Sequence, residues 1–425
     1  MLSFLSVTRA PVLPERSRGR SSRSATSDQN RAPSTSLGEI GVCAVLALTL
    51  VACGAPPPSP DGGPSSDAGF SDGGFDLNDV SWLLPLPAPA QQSLLLGLDA
   101  TGTRGPLLPR SLYDALPGLV TTQDAGALFP KFRVVSVRID PCFPKEPTSG
   151  CLKQIRLVAQ PVIVQAFQTK TEDGAIHLFY ELTDAEFDSA RVTLTELRRL
   201  AAGATDGKPL DVHPVMRAEG LAGPYATTLH AMLTRLCGEQ NLTRVAFMRV
   251  IQTDVAWRFG ALNVSRGALV ADPIPRLTDV TQQGVQEFGN TDFRSGELQP
   301  AASGDELPVL LSESEMRLTD QRTLDRAVTS ALRIENPGRS NPKTVDCASC
   351  HVASRALHNT RMERPIDTST HADQYVGNPR FDLRRVDGAG DDPRAMRAFG
   401  YFGDKSALSQ RTINESAEVA EALSR

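Results

Sequence analysis

The stretch VDCASCHVA, Val345–Ala353, sets two cysteines three positions apart and places a histidine directly after the second. The 425-residue chain holds only seven Cys and six His. Chance would give a Cys-x-x-Cys-His pattern in roughly 2 of a thousand chains of this composition. Residues at this spacing serve three kinds of chemistry: covalent haem attachment, one corner of a zinc site, or a dithiol that cycles with its disulfide. The pattern therefore calls for a functional explanation.

A zinc site at Cys347, Cys350 and His351 would need a fourth ligand. His358, His371 or an acidic residue could supply it, but the sequence lacks the second Cys-x-x-Cys knuckle that usually completes such a site. A redox dithiol usually follows a β-strand, whereas a helical stretch and a Pro-rich turn precede this motif. Both alternatives stay open, and the spacing favours haem attachment.

A helix followed by this corner resembles the entry of a c-type cytochrome. The resemblance covers about Ser312–Arg425, and its only specific motif is the five-residue haem signature. It implies a small, mostly α module that carries one haem c and transfers single electrons. In that module Cys347 and Cys350 would form the two haem thioethers, and His351 would be the proximal ligand of the haem iron.

The sixth iron ligand is less constrained by the sequence. In single-haem cytochromes of this kind, a Met several tens of residues past the motif commonly reaches the iron. Met396 lies at that distance and is our prediction for the distal ligand. The alternatives are His371, which would give a bis-histidine site, then Met362 or His358, and finally an open or water-bound position.

Two amphipathic stretches are expected to pair as the first and last helices of this module, as in the cytochrome c fold. Ser312–Asn336 has a continuous apolar stripe and stops at Pro337. The tail Ser409–Arg425 has Thr412 or Asn414 as its N-terminal cap.

Residues 77–311 predict an α+β domain without identifiable chemistry. Five stretches with period-two patterning or β-branched enrichment predict strands, and two capped amphipathic stretches predict helices. Their order is mixed rather than a βαβ repeat. The predicted strands are Phe132–Asp140, Gln154–Phe167, Ala175–Leu182, Thr243–Thr253 and Ala256–Val264, and the predicted helices are Thr183–Gly203 and Gly223–Asn241.

Three further cysteines of this region are assigned by their surroundings. Cys142 and Cys151 flank a Pro- and Gly-bearing loop between two predicted strands. In an exported chain they are expected to form a structural disulfide, worth about 2 to 3 kcal/mol in the chain-entropy estimate. Cys237 lies on the apolar face of its helix and is expected to be a buried free thiol. His177, in an apolar strand, has no neighbouring ligand partner in sequence and is interpreted as structural.

The first 76 residues are expected to form an export signal and a flexible tether rather than a folded domain. The apolar run Ile40–Cys53 follows an Arg- and Ser-rich stretch and has the length of a signal-peptide core. It ends in LVAC, which resembles the bacterial lipobox. The resemblance implies that residues 1–52 are a signal peptide and that Cys53 is lipidated, with several acyl chains giving stable membrane anchoring. Residues 53–76 are too polar to fold and predict a disordered tether. Gly54 favours the outer membrane by analogy with lipoprotein sorting.

The charge of the chain indicates its class of partner. The net charge is −5, and removing residues 1–52, which carry six Arg and three acidic residues, leaves −8. No Lys/Arg cluster marks the body of the chain, which argues against nucleic-acid binding. An acidic surface favours docking to a basic redox protein.

The combined expectation is a lipid-anchored electron carrier on the periplasmic side or the cell surface. One alternative is a non-haem lipoprotein whose middle domain binds a partner, with Cys347 and Cys350 joined only by a disulfide. Another is a haem enzyme such as a peroxidase, which favours an open sixth position and a second haem motif. The sequence holds one such motif.

Overall fold

The computed structural model describes residues 74–425 except 121–122, 143–151, 253–254, 276, 278, 289–291, 295–306, 365, 370, 391 and 393. Helix makes up 37% and strand 26% of the structure, so the predicted mixture of helices and sheet is confirmed. The predicted signal peptide with Cys53 and most of the tether lie outside the described residues. Among the residues described, no helix is both long and apolar enough to cross a membrane.

A ten-stranded sheet runs through the fold, and two short hairpins accompany it. The strands are β1 (Ser81–Leu83), β2 (Thr101–Gly102), β3 (Gly105–Pro106), β4 (Phe132–Asp140), β5 (Gln154–Gln165), β6 (Gln168–Thr171), β7 (Ala175–Glu181), β8 (Leu242–Gln252), β9 (Ala256–Ser265), β10 (Ala268–Asp272), β11 (Gln282–Phe288), β12 (Asp292–Arg294), β13 (Phe399–Phe402) and β14 (Lys405–Leu408). The large sheet has the order β1-β4-β5-β7-β8-β9-β11-β12, with β6 beside β5 and β10 beside β9. The five predicted strands are confirmed as β4, β5, β7, β8 and β9, the centre of this sheet.

Helices precede, interrupt and follow the strands. They are α1 (Leu77–Val80), α2 (Arg110–Asp114), α3 (Ala125–Leu128), α4 (Asp184–Ala201), α5 (Pro214–Glu219), α6 (Pro224–Leu236), α7 (Glu313–Leu318), α8 (Gln321–Glu335), α9 (Cys347–Glu363) and α10 (Gln410–Leu423), with 3-10 turns at Pro89–Leu94, Phe129–Lys131 and Leu307–Leu311. The two predicted helices of the middle region are confirmed as α4 and α6. Thr183 and Glu186 form the expected capping box of α4, and Pro224 opens α6.

The predicted single helix Ser312–Asn336 is wrong because the chain divides it into α7 and α8. Thr319 is extended (ψ 140°), and the side chain of Asp320 accepts a hydrogen bond from the Thr323 amide at 3.1 Å. An Asp that satisfies an orphan amide in this way begins a new helix. Leu318, at the end of α7, is 88% exposed.

The predicted cap of the last helix is also wrong by a few residues. Ser409 is the N-cap of α10, and its hydroxyl accepts from the Thr412 amide at 3.2 Å. Thr412 and Asn414 lie inside the helix instead. Asp76, at the end of the predicted tether, is buried and caps α1, accepting from the Leu77 amide at 2.7 Å.

The cysteines of the middle region have the expected kinds of environment. Cys142 is disulfide-bonded, and its predicted partner Cys151 lies outside the described residues. Cys237 is a buried free thiol, as predicted, and burial raises its pKa.

The large sheet is covered on both faces. Because side chains alternate along a strand, Ile176, Leu178 and Tyr180 of β7 share one face, and they pack in a core with α4 and α6. Ala175 and His177 lie on the other face. There Ala175 joins a second core that includes side chains of α8 and α9. The helices of the C-terminal region therefore pack directly on the sheet of the middle region.

The hairpin β13–β14 is also bound to the large sheet, through side chains of β4 and β5. The side-chain amide of Gln160 on β5 donates to the Tyr401 carbonyl at 2.9 Å and accepts from the Tyr401 amide at 2.7 Å. The Ser136 hydroxyl on β4 donates to the Phe399 carbonyl at 2.9 Å. The described residues belong to one compact unit. One hydrophobic core contains residues from both sides of the boundary predicted after residue 311.

A buried ionic cluster ties α10 to the sheet; it consists of Arg138, Asp140, Arg156, Arg411 and Glu415. Asp140 pairs with Arg138 at 2.8 Å and with Arg156 at 2.7 Å, while Glu415 pairs with Arg411 at 2.8 Å and with Arg138. Burial raises the pKa of Asp140 to about 6. Burial also opposes ionisation of Glu415, but Arg138 and Arg411 outweigh it and lower the pKa of that carboxyl.

We expect Glu415→Gln to lower the free energy of unfolding by about 3 kcal/mol, because it leaves buried guanidinium groups without their carboxylate. Urea unfolding followed by tryptophan fluorescence measures this, since Trp82 and Trp257 lie in the two different cores. Glu196→Gln on α4, which removes an exposed pair with Arg199, is the control and should leave the midpoint unchanged. Equal midpoints for Glu415→Gln and the unmodified protein would show that α10 is not anchored through this cluster.

Candidate functional site

The Cys-x-x-Cys-His motif forms the first turn of α9. Asp346 is the N-cap, and its carboxylate accepts from the Ser349 amide at 2.9 Å. The side chain of Gln283 on β11 accepts from the Ala348 amide at 2.8 Å. The amides at a helix start have no partner within the helix, so these two bonds stabilise the beginning of α9. The second bond also fixes that beginning to the sheet.

His351 is held by a main-chain carbonyl. Its Nδ1 lies 2.7 Å from the Met396 carbonyl oxygen, which can only accept, so Nδ1 carries the proton and donates. This bond fixes the tautomer and leaves a lone pair on Nε2, the arrangement usual in metal-binding histidines. The ring of Phe259 lies against His351 with centroids 4.4 Å apart. Burial lowers the pKa of His351.

Arg355, one helical turn beyond His351, holds the segment that carries this carbonyl. Its Nε donates to the Ala395 carbonyl at 3.0 Å, and its guanidinium group pairs with Asp387. Both partners are buried. The residue next to Ala395 is Met396, so Arg355 positions the carbonyl that His351 binds.

Cys350 and His351 line a cavity of about 120 Å³ between α9, α10 and the sheet. The opposite wall includes His177 of β7, whose ring centroid lies 6.3 Å from that of His351, with the two rings at 79°. Burial, with a smaller effect from His351, lowers the pKa of His177 to about 3. Arg138, Arg156, Arg411 and Glu415 of the ionic cluster also line the cavity.

The sequence analysis gave no indication that His177 lies beside the motif. Its position between Ala175 and Phe179 places it on one face of a strand, but the alternation does not reveal what covers that face. The contact with His351 depends on the docking of α9 across the sheet, which no local pattern encodes.

The two motif sulfurs are free thiols in buried surroundings. Burial raises the pKa of Cys347 to about 12 and that of Cys350 to about 11. A redox dithiol requires a thiolate, and therefore a lowered pKa. Among the described residues no group of three or more His, Cys, Asp and Glu side chains could hold a metal ion. The raised thiol pKa values therefore do not favour a redox dithiol.

The structure places the candidate sixth ligands in different surroundings. Met396 is buried next to the site, but its carbonyl binds the Nδ1 edge of the histidine ring. His371 has its Nδ1 3.2 Å from the Thr329 hydroxyl. His358 lines a separate cavity of about 580 Å³, and Met362, near the end of α9, is 68% exposed.

Comparison with known proteins gives no family for this chain. No protein-family model, curated protein or solved structure matches it. The function is therefore inferred from α9 and its neighbours.

Proposed function

We propose that the protein is an exported, lipid-anchored c-type cytochrome that transfers single electrons through one covalently bound haem at Cys347, Cys350 and His351. One observation carries the proposal. The motif histidine has its Nδ1 hydrogen-bonded to a buried carbonyl, its Nε2 is left for a ligand, and it shares a cavity with the second motif cysteine. This is how a protein prepares an imidazole for an axial position on iron.

The donor set fits a covalent haem. Cys347 and Cys350 are separated by about one helical turn, so two thiols on one helix can reach one porphyrin edge. Each thiol would add across a vinyl group; a C–S bond forms, the thiol hydrogen goes to the other vinyl carbon, and no oxidant is needed. The bound haem supplies a one-electron Fe(III)/Fe(II) couple. The chain supplies the tether, the proximal imidazole of His351 and the carbonyl that orients it.

The charges around the cavity also favour haem, which carries two carboxylates. Three arginines of the ionic cluster face two carboxylates, Asp140 and Glu415, so the cluster has one excess positive charge. The cavity of about 120 Å³ has room for about four waters, which is less than a porphyrin needs. The proposal therefore requires a wider cavity in the haem-loaded protein.

The helix arrangement supports a cytochrome c-like module over residues 312–425. The side-chain amide of Asn414 on α10 donates to the Glu335 carbonyl at the end of α8 at 2.8 Å, and Arg411 donates to the neighbouring Ile334 carbonyl. The last helix thus contacts the C-terminal end of α8, the long helix before the motif. This module is docked on an α+β sheet region rather than standing alone.

We expect the unmodified chain, expressed with cytochrome c maturation machinery, to give a c-type pyridine haemochrome spectrum with one haem per chain. Cys347→Ala combined with Cys350→Ala should retain no haem on a denaturing gel, because both thioethers are lost. Cys237→Ser removes a thiol outside the motif and is the matched control, with full covalent haem expected. An unmodified chain without covalent haem would refute the cytochrome proposal and favour a binding lipoprotein.

The localisation part of the proposal depends on Cys53. We expect Cys53→Ser to abolish incorporation of labelled fatty acid in a bacterial host and to release the protein from the membrane fraction, because its thiol carries the lipid. Cys43→Ser, in the signal region, should change neither readout. Retention of the label in Cys53→Ser would contradict lipidation at this residue.

A further inference from the structure

A cavity of about 530 Å³ is lined by residues of β5, β6, β8 and the hairpin β13–β14. Small-molecule sites in proteins commonly have volumes of about 300 to 1,000 Å³, so this cavity is large enough for a small ligand. No described residue lines both this cavity and the one beside His351. The two cavities are therefore separate candidate sites.

The lining of this cavity combines apolar walls with balanced charges. Four separate segments of the chain supply its apolar surface, through Val120, Ile163, Val250 and Phe402. Among the described lining residues, three are basic and three are acidic, so their formal charges cancel. These residues are Lys170, Arg397 and Lys405, and Glu172, Asp173 and Asp404. Such a lining fits a ligand that has an apolar part and no net charge.

Arg397 offers a hydrogen-bond donor that the protein leaves unused. Its side chain is buried and forms an ion pair with Asp173, whose carboxylate also accepts from the Trp257 indole at 2.5 Å. Arg397 Nη1 lies 3.6 Å from the Met248 sulfur. Arg397 Nε has no hydrogen-bond partner within the part of the chain that the structure describes. Burial lowers the pKa of this guanidinium group to about 9. A buried donor of this kind destabilises the fold unless an acceptor binds to it.

Glu172 offers the complementary acceptor. Its Oε1 accepts from the Gln123 side-chain amide at 2.7 Å. Its Oε2 is buried, and no described residue donates to it. An ionised carboxylate oxygen can only accept, so Oε2 requires a donor such as an ammonium group. Glu172 and Arg397 line the same cavity, which therefore holds one unused acceptor and one unused cationic donor.

We propose that this cavity binds a small apolar zwitterion, with its carboxylate on Arg397 and its ammonium group on Glu172. Free α-amino acids and dipeptides with apolar side chains share this chemistry. A guanidinium group is well suited to a carboxylate, and the hydrogen bond is strengthened by the two charges. The apolar walls would take the side chain of the ligand. The inference is independent of the proposed function and uses none of its residues.

The test is isothermal titration calorimetry of the purified full-length protein with four probes. Phenylalanine and the dipeptide alanylphenylalanine are zwitterions, phenethylamine lacks the carboxylate, and 3-phenylpropanoate lacks the ammonium group. We expect at least one zwitterion to bind, and the two single-charge probes to bind about tenfold more weakly or worse, because each loses one charge-assisted hydrogen bond. The zwitterion that binds more tightly distinguishes an amino-acid site from a dipeptide site.

Glu172→Gln tests the residue assignment, since replacing the buried Arg397 could unfold the protein. The substitution preserves the size of the side chain and removes its charge. We expect it to weaken zwitterion binding about tenfold and to abolish the preference for the zwitterion over 3-phenylpropanoate. Glu181→Gln, which removes an exposed carboxylate at the end of β7, is the matched control and should bind like the unmodified protein. A thermal melt of each variant confirms that it is folded.

Three results would overturn the proposal. The first is that neither zwitterion binds at millimolar concentration. The second is that 3-phenylpropanoate binds as tightly as the zwitterions, which would indicate a site for organic anions instead. The third is that folded Glu172→Gln and Glu181→Gln bind the zwitterion equally well.

Discussion

The hydrogen bond between His351 Nδ1 and the Met396 carbonyl is the interaction on which the functional account depends. It selects the tautomer, orients the ring and leaves Nε2 free. Several other contacts hold the His351 side and the Met396 side of this hydrogen bond in place. Asp346 and Gln283 fix the start of α9, and Arg355 holds the segment that carries the carbonyl. His351 is therefore positioned by a capped helix and by the segment that Arg355 holds. Such support from rigid neighbours fixes the orientation of a ligating side chain.

The second constraint is that both faces of the large sheet are covered by other parts of the chain. One face is covered by α4 and α6, which leaves the other for the C-terminal helices. The packing of the C-terminal helices on this second face places His177 opposite the motif. It also buries the ionic cluster between α10 and β4–β5. Buried charges are costly unless they are paired, so the cluster favours the docking of α10 that pairs them. The same charges border the cavity, which links the packing of the C-terminal region to the site.

Local sequence patterns predicted much of this fold. Alternation identified the five central strands, and the Thr183 capping box identified α4, because these features depend on neighbours in the sequence. The motif itself was recognisable from its spacing. The break at Asp320 was missed because the apolar stripe continues through it, and only the cap reveals a new helix. The pairing of His177 with His351 was beyond local patterns, since it depends on which helices cover each sheet face. The sixth-ligand prediction of Met396 came from typical loop lengths and stays a prediction.

The most direct test of the account is the position of iron in crystals of the protein matured with haem, found from an anomalous difference map at the iron absorption edge. The account predicts one peak per chain, at bonding distance from His351 Nε2. A peak away from His351, or no peak in crystals of protein from the maturation host, would contradict it.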